Sequence, residues 1–284
     1  MTGRRGVSPT VRRRRLGAEL RRYREAAGLT IDHVAVRLDC SASKISRLET
    51  GQTGASPRDV RDMLTLYQVG IAELEDLMAV ARETRQRGWW QPYGSVLTGA
   101  YIGFEAAAEL IRSYEAQCIP GLLQTEGYAR SLIQAATHDR SSEEIDSRVR
   151  VRMERQALLT QDEPVTFWCV IDEAALLRRV GGPDVMRTQL ARLEAASQMP
   201  NVTLQVLPLS IGEHPGMEGS FVLLRFPDRA DPDTVYVTMA TGGVFQEKAD
   251  ELGRYETIFN RLCHLALSPQ DSTALVATMA KEPR

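Results

Sequence analysis

Only four of the 284 residues are cysteine, and Cys40, Cys118, Cys169 and Cys263 lie scattered with no CxxC spacing. That argues against both a zinc site and a disulfide framework. Lysine is scarcer still: Lys44, Lys248 and Lys281 are the three, so almost all positive charge is arginine. With abundant alanine, this bias points to a GC-rich source genome. Long apolar runs are missing. Leu77–Ala81 and Phe167–Ile171 are among the longest, far short of the roughly 20 residues that span a bilayer. No apolar signal core follows the basic N-terminus, so the expectation is a cytoplasmic protein with reduced thiols and no membrane partner. Catalytic fingerprints are absent too: no GxSxG elbow, HExxH, P-loop or dinucleotide motif occurs. His138 and His264 have no ligand spacing. These absences predict no enzyme, no metal and no cofactor.

Charge is unevenly placed. Residues 1–66 carry 14 basic against 7 acidic side chains, and the remainder 21 against 30. A basic N-terminal module on an acidic body is the layout of a DNA reader whose body hangs away from the phosphates.

Residues 28–51, GLTIDHVAVRLDCSASKISRLETG, explain the basic module. Thr30 is placed to cap a helix whose apolar stripe is Val34, Ala35 and Leu38. Asp39, Cys40 and Ser41 form a turn, with Ser41 capping the next helix. There Ile45 and Leu48 face inward, leaving Ala42, Ser43, Lys44, Ser46 and Arg47 outward, and Gly51 stops the helix. A short helix with small, polar and basic outer residues, braced by a second helix, suits a major groove.

The stretch from about residue 16 to 80 resembles the DNA-binding domain of the XRE (lambda-repressor-like) family. The resemblance implies a structural pair between Arg24 and Glu49. It departs from the family pattern twice. Ile31 stands where a phosphate-touching glutamine is usual. Asp39 stands for the turn glycine, a tolerable exchange because Asp visits left-handed backbone.

Upstream, residues 1–15 hold Arg4, Arg5 and Arg12, Arg13, Arg14 and Arg15 with no acid. Two readings fit this stretch: a basic arm on DNA, or a solvated tail. The first helix is expected to start near Val11, with the last arginines on its opening turns. Downstream, Ser56-Pro57-Arg58-Asp59 is a capped helix start, and a fifth helix runs from Ile71 to about Arg87. The organisation expected is a basic arm (1–15), an all-α five-helix head (16–87), a linker (88–100) containing Trp89 and Trp90, and an α+β domain (101–284).

That second domain is expected to hold a small, mostly antiparallel sheet packed by helices. Apolar spacing from Tyr101 through Ile111 and Tyr114 predicts one helix; Gln124-Thr125 opens another. A long helix follows from Ser141 to Leu159, with its arginines on a solvated, ion-paired face. Val165–Ile171, Val202–Leu207, Ser220–Phe226 and Thr234–Thr238 read as strands. Helices are predicted at Asp172–Arg179, Pro183–Gln198, Gln246–Leu267 and Ser268–Ala280.

Ile119-Pro120-Gly121-Leu122-Leu123-Gln124-Thr125, with Tyr101–Glu105 and Val170–Leu176, resembles the C-terminal domain of actinobacterial, WhiJ-like, antitoxin-like regulators. The resemblance implies a regulator encoded beside a small partner protein. Structurally, Pro120-Gly121 is a turn, Leu122 and Leu123 are core, and Gln124-Thr125 starts a helix. The alternative is a recognition loop exposing Gln124, Thr125 and Tyr128. Among acid/base candidates, Asp172 reads better as a helix cap beside Glu173. Glu213 and His214 sit in a glycine-flanked loop that could gate a partner or ligand site.

These readings converge on a sequence-specific transcriptional regulator that binds double-stranded DNA as a homodimer. Ala42, Ser43, Lys44, Ser46, Arg47 and Arg12–Arg15 are the DNA-facing candidates. The second domain takes a small partner protein or, alternatively, a small-molecule ligand. A remoter alternative is an interaction or enzymatic module with a vestigial head.

Overall fold

The computed structural model describes residues 9–84, 99–136, 141–228, 231–239 and 242–281. Arg4 and Arg5, most of the expected linker with Trp89 and Trp90, and His138 lie outside the described residues. The chain divides into two units, residues 1–92 with 228–232, and residues 93–227 with 233–284.

The first unit is helical, with α1 (Pro9–Ala26), α2 (Ile31–Arg37), α3 (Ala42–Glu49), α4 (Pro57–Leu66) and α5 (Ile71–Glu83). Its apolar positions meet in one core in which Leu20, Val34, Val60, Met63 and Leu64 are fully buried. Local chemistry sets the helix ends. Thr30 accepts from His33 N, Ser41 from Lys44 N, and Ser56 forms a reciprocal box with Asp59. Each such cap is worth about 1 kcal/mol. Asp39 takes the left-handed conformation in the α2–α3 turn, with φ 49°.

Two glycines allow close backbone approach. A Cβ on Gly17 of α1 would lie 2.6 Å from the carbonyl oxygens of Leu48 and Glu49. Gly51 has φ +66°, and a Cβ there would lie 2.8 Å from Arg14 Cα. The last turn of α3 therefore rests directly on the main chain of α1. Since α1 begins at Pro9, Arg12–Arg15 lie on its first turns and are half-buried. The helix thus starts two residues before the expected Val11, because Val11 and Leu16 are buried and draw the segment in.

The second unit is α+β, built on one mixed six-stranded sheet. In chain order come α6 (Gly99–Ala107), β1 (Leu110–Glu115), α7 (Glu126–Ala135), α8 (Ser142–Arg155), β2 (Thr166–Asp172), α9 (Glu173–Leu177) and α10 (Pro183–Ser197). Then follow β3 (Val202–Leu207), β4 (Phe221–Arg225), β5 (Thr234–Met239), β6 (Gly242–Gln246), α11 (Ala249–Leu265) and α12 (Pro269–Lys281). The strand order is β3-β2-β1-β4-β5-β6. β1, β2 and β3 pair in parallel, while β1–β4, β4–β5 and β5–β6 are antiparallel. The sheet is thus mixed: three of its five pairings are antiparallel, as expected of most, and the parallel pairing of β1, β2 and β3 is the part not foreseen. Helices lie between β1 and β2 and between β2 and β3, as parallel connections require.

Two further corrections concern strand assignment. Leu110–Glu115 is a strand rather than the end of a helix, and Gly242–Gln246 is an edge strand where the following helix had been expected to begin. On one face of the sheet, Tyr114, Val170, Phe221, Leu223 and Val235 pack with Phe259 and Leu262 of α11. On the outer edge of β3, Val206 N donates to Ser272 Oγ at 2.9 Å and Val206 O accepts from Leu267 N at 2.9 Å. The α11–α12 connection therefore closes that edge.

Candidate nucleic-acid interface

Helix α3 separates its faces cleanly. Ile45, Leu48 and Glu49 are buried, whereas Ser43 and Arg47 are exposed and Ser46 is half-exposed. Arg47 Nε donates to Ser43 O at 3.3 Å, so the guanidinium is carried along the outer face of the helix. Two candidates sit differently from expectation. Ala42 is partly buried against the core, because the first turn of α3 leans on α2. Lys44 Nζ lies 2.6 Å from Asp59 Oδ1, and this hydrogen bond raises the pKa of its ammonium. Asp59 also completes the α4 capping box, so Lys44 fastens α3 to the start of α4. Ile31 packs against the core, which accounts for an apolar residue at that helix start.

Arg24 anchors α3 from behind. Its Nε and Nη2 bind Glu49 Oε1 and Oε2 at 2.7 and 2.9 Å, and its Nη1 donates to Leu29 O at 2.8 Å. Both side chains are buried. The pair ties α1, the α1–α2 turn and the end of α3 together. Of the four N-terminal arginines, Arg13 lies beside Gly54 in the loop after α3. Its buried Nε has no partner among the described residues, and burial lowers its pKa.

In the second unit, the residues that the recognition-loop alternative would expose turn inward. Tyr128 is fully buried, and its hydroxyl accepts from Ile119 N at 3.1 Å. Buried Gln124 donates to Ile119 O at 2.7 Å and accepts from Arg152 Nη1 at 2.9 Å. Thr125 caps α7, and its own N–H donates to Gln189 Oε1 at 2.7 Å. This run closes the turn between β1 and α7 on itself, so its recognition reading is replaced by a structural one.

Glu213 is exposed, whereas His214 is half-buried and folds back against the sheet. Its Nδ1 accepts from Gly216 N at 3.2 Å and its Nε2 lies 3.7 Å from Asp172 Oδ2. Asp172 caps α9 through Ala174 N and also receives the Tyr114 hydroxyl at 3.3 Å. Glu173 Oε2 accepts from Leu209 N at 2.8 Å.

Sequence reasoning missed a buried polar layer beneath α8. Arg148, Arg152 and Arg155 follow one another at i, i+4 and i+7, and this stripe turns inward rather than lying on a solvated face. Arg155 binds Glu105 of α6 with both carboxylate oxygens, at 2.7 and 2.6 Å. Arg148 pairs with Glu144 one turn earlier at 3.5 Å, whereas Asp146 binds Arg130 of α7 at 2.6 Å. The i, i+4, i+7 spacing was the available signal, since it is the spacing of a core-facing stripe.

Glu115 at the end of β1 belongs to the same layer. Burial pushes its carboxyl up to about 7, against the opposing hydrogen bond from Ser113 and the charge of Arg152. A carboxyl raised in the folded state binds its proton more tightly there. Its contribution is therefore fully present below the unfolded value and is lost as pH rises through about 7. Glu115→Gln is expected to leave stability unchanged near pH 4 and to raise it by on the order of 2 kcal/mol at pH 8. Denaturant titrations at the two pH values check this, and an equal effect at both would remove Glu115 as the titrating group.

No helix among the described residues is long and apolar enough to cross a membrane. Residues 15–77 match a helix-turn-helix domain family, and residues 98–278 match a domain of unknown function, DUF5753. Neither the curated proteins nor the solved structures compared give a match. The chain therefore belongs to the DUF5753 family, carried behind an N-terminal helix-turn-helix domain.

Proposed function

We propose that the protein is a sequence-specific transcriptional regulator in which α3 enters the major groove of double-stranded DNA. The observation that carries this reading is the two-faced α3, with Ser43, Ser46 and Arg47 outward and the buried Arg24–Glu49 pair behind. Arg47 makes the direct base contact, a bidentate pair with guanine being the best geometric match. Ala42, if it meets a base, offers a methyl surface to thymine. Arg12–Arg15, Arg13 foremost, supply phosphate contacts. Lys44 contributes by positioning α3. A homodimer reading a pseudo-palindrome fits such a head, with half-sites about 34 Å apart.

The second unit is the controlling part, and it binds a small partner protein. This reading rests on the resemblance to antitoxin-like regulators and on an acidic body that phosphate would repel. Asp172, Glu173, Glu213 and His214 serve structure rather than catalysis, the first two because their carboxylates hold helix and loop ends.

The deciding experiment is binding of the full-length protein to its own promoter DNA, titrated against salt and scrambled competitor. Selective binding with a steep salt slope is expected. Arg47→Ala should cost roughly 1–3 kcal/mol of specific affinity and relax preference at one position. Lys44→Met should leave the salt slope unchanged, whereas a slope reduced by about 1 would make Lys44 a phosphate contact. Absent or non-selective binding would point to a vestigial head.

A further inference from the structure

We propose that a recess between α9, α10 and α12 of the second unit binds a small, uncharged, largely apolar molecule with one hydrogen-bond donor. The recess encloses about 190 Å³, and Leu176, Met186, Leu190, Leu275 and Met279 form its floor and walls. Leu176, Met186 and Leu190 are 3%, 4% and 2% exposed, so the recess reaches residues of the packed core. Of the lining leucines and methionines, only Leu177 at the mouth is more than a third exposed, at 42%.

This shape selects the occupant. A partner helix needs a long open groove with a row of exposed anchors, whereas here nearly all apolar surface is inside. An apolar cavity of about 150 Å³ accepts a benzene-sized guest, so this recess fits a molecule of one or two rings or a comparable aliphatic chain. Two methionines in the wall adapt their shape to such guests.

Charge is excluded for a separate reason. The two charged lining residues, Glu173 and Arg179, are of opposite sign, so the recess has no net charge to select an ion, and an unpaired charge among its leucines and methionines is strongly disfavoured. Glu173 and Thr278 are the lining residues with side-chain oxygens. The Thr278 hydroxyl donates to Ala274 O at 2.9 Å, and Glu173 spends Oε2 on Leu209 N. The hydroxyl oxygen of Thr278 and Oε1 of Glu173 are then acceptors for one O–H or N–H of the guest.

The test is made on full-length protein carrying ¹³C-methyl methionine, with indole, 1-octanol and toluene as probes. Indole and 1-octanol are expected to shift the Met186 and Met279 methyl signals saturably, and toluene, lacking the donor, to bind at least several-fold more weakly. Leu190→Phe fills the recess and should weaken binding at least tenfold. Leu177→Trp, at the exposed mouth, should do the same without disturbing the interior if the first variant fails to fold. The proposal is overturned if no probe gives a saturable shift, if both filling variants bind as the parent does, or if the shifts vanish on dilution of the protein, which would mean that the site exists only between two copies. None of these readouts requires DNA, so failure here is separate from failure of the DNA-binding reading.

Discussion

Glu105→Ala is expected to lower the stability of the second unit by about 3–5 kcal/mol, because it leaves a buried guanidinium without its counter-charge. Arg155 is 7% exposed and Glu105 1%, and the two meet through a pair of parallel hydrogen bonds at 2.7 and 2.6 Å. The guanidinium also lies over the Tyr101 ring, 5.3 Å from its centroid, and among the described residues no other carboxylate lies within salt-bridge distance of it. The double variant Glu105→Leu with Arg155→Met should recover most of the loss, since a buried ion pair and a well-packed apolar pair of similar volume differ little in net stability. Urea unfolding of the full-length protein separates the outcomes. A loss below about 1 kcal/mol would show that water reaches the pair and screens it.

Glu49→Ala is expected to destabilise the first unit to a similar extent, again about 3–5 kcal/mol, since Arg24 would remain buried and unpaired. The consequence for function is larger than for a surface pair. Glu49 is the last residue of α3, and Arg24 joins it to the α1–α2 turn through Leu29 O. Loosening this joint frees the end of the helix that carries Arg47. DNA affinity should fall even where enough folded protein survives to measure it. Glu49→Gln keeps an acceptor for Arg24 and should fall between the parent and alanine in both respects. Two-stage thermal unfolding followed by circular dichroism, with only the first unit's transition moving, is the expected signature. An unchanged melting curve would mean that the pair contributes nothing net.

The two units differ in how much of their structure could be read from sequence, and the reason is range. Thr30, Ser41 and Ser56 act on backbone groups three residues away, and Asp39 needs only its own turn. These features were readable because nothing distant competes with them. The Arg24–Glu49 pair spans 25 residues and came from a family resemblance rather than from spacing. In the second unit, β1 was misread because Phe104, Ala107, Ala108, Ile111 and Tyr114 continue a helical period through the break after α6. β6 was missed because Gly242-Gly243-Val244-Phe245-Gln246 is short and opens with two glycines, which weaken any strand signal. Parallel pairing of β1, β2 and β3 joins Leu110 to Thr166 and Phe167 to Val202, segments distant in sequence, and leaves no local trace.

The candidate sites follow the same division. Exposure of Ser43 and Arg47 follows from a short helix with two inward apolar residues. The inward course of Gln124, Thr125 and Tyr128 depends on Arg152 and Gln189 from other helices. The arginines of α8 were placed in solvent because charge usually is, yet Glu105 lies 50 residues upstream of its partner.

The contact of Gly17 with the carbonyls of Leu48 and Glu49 has a bearing on how such a protein changes its target. Main chain meets main chain there, so the tilt of α3 does not depend on the size of any intervening side chain. On the proposed DNA-binding reading, exchanges at Ser43, Ser46 and Arg47 can then alter the base preference while the helix keeps its pose. New operator specificities become reachable by single substitutions on an unchanged frame, whereas any residue larger than glycine at position 17 would tilt the whole reading surface at once.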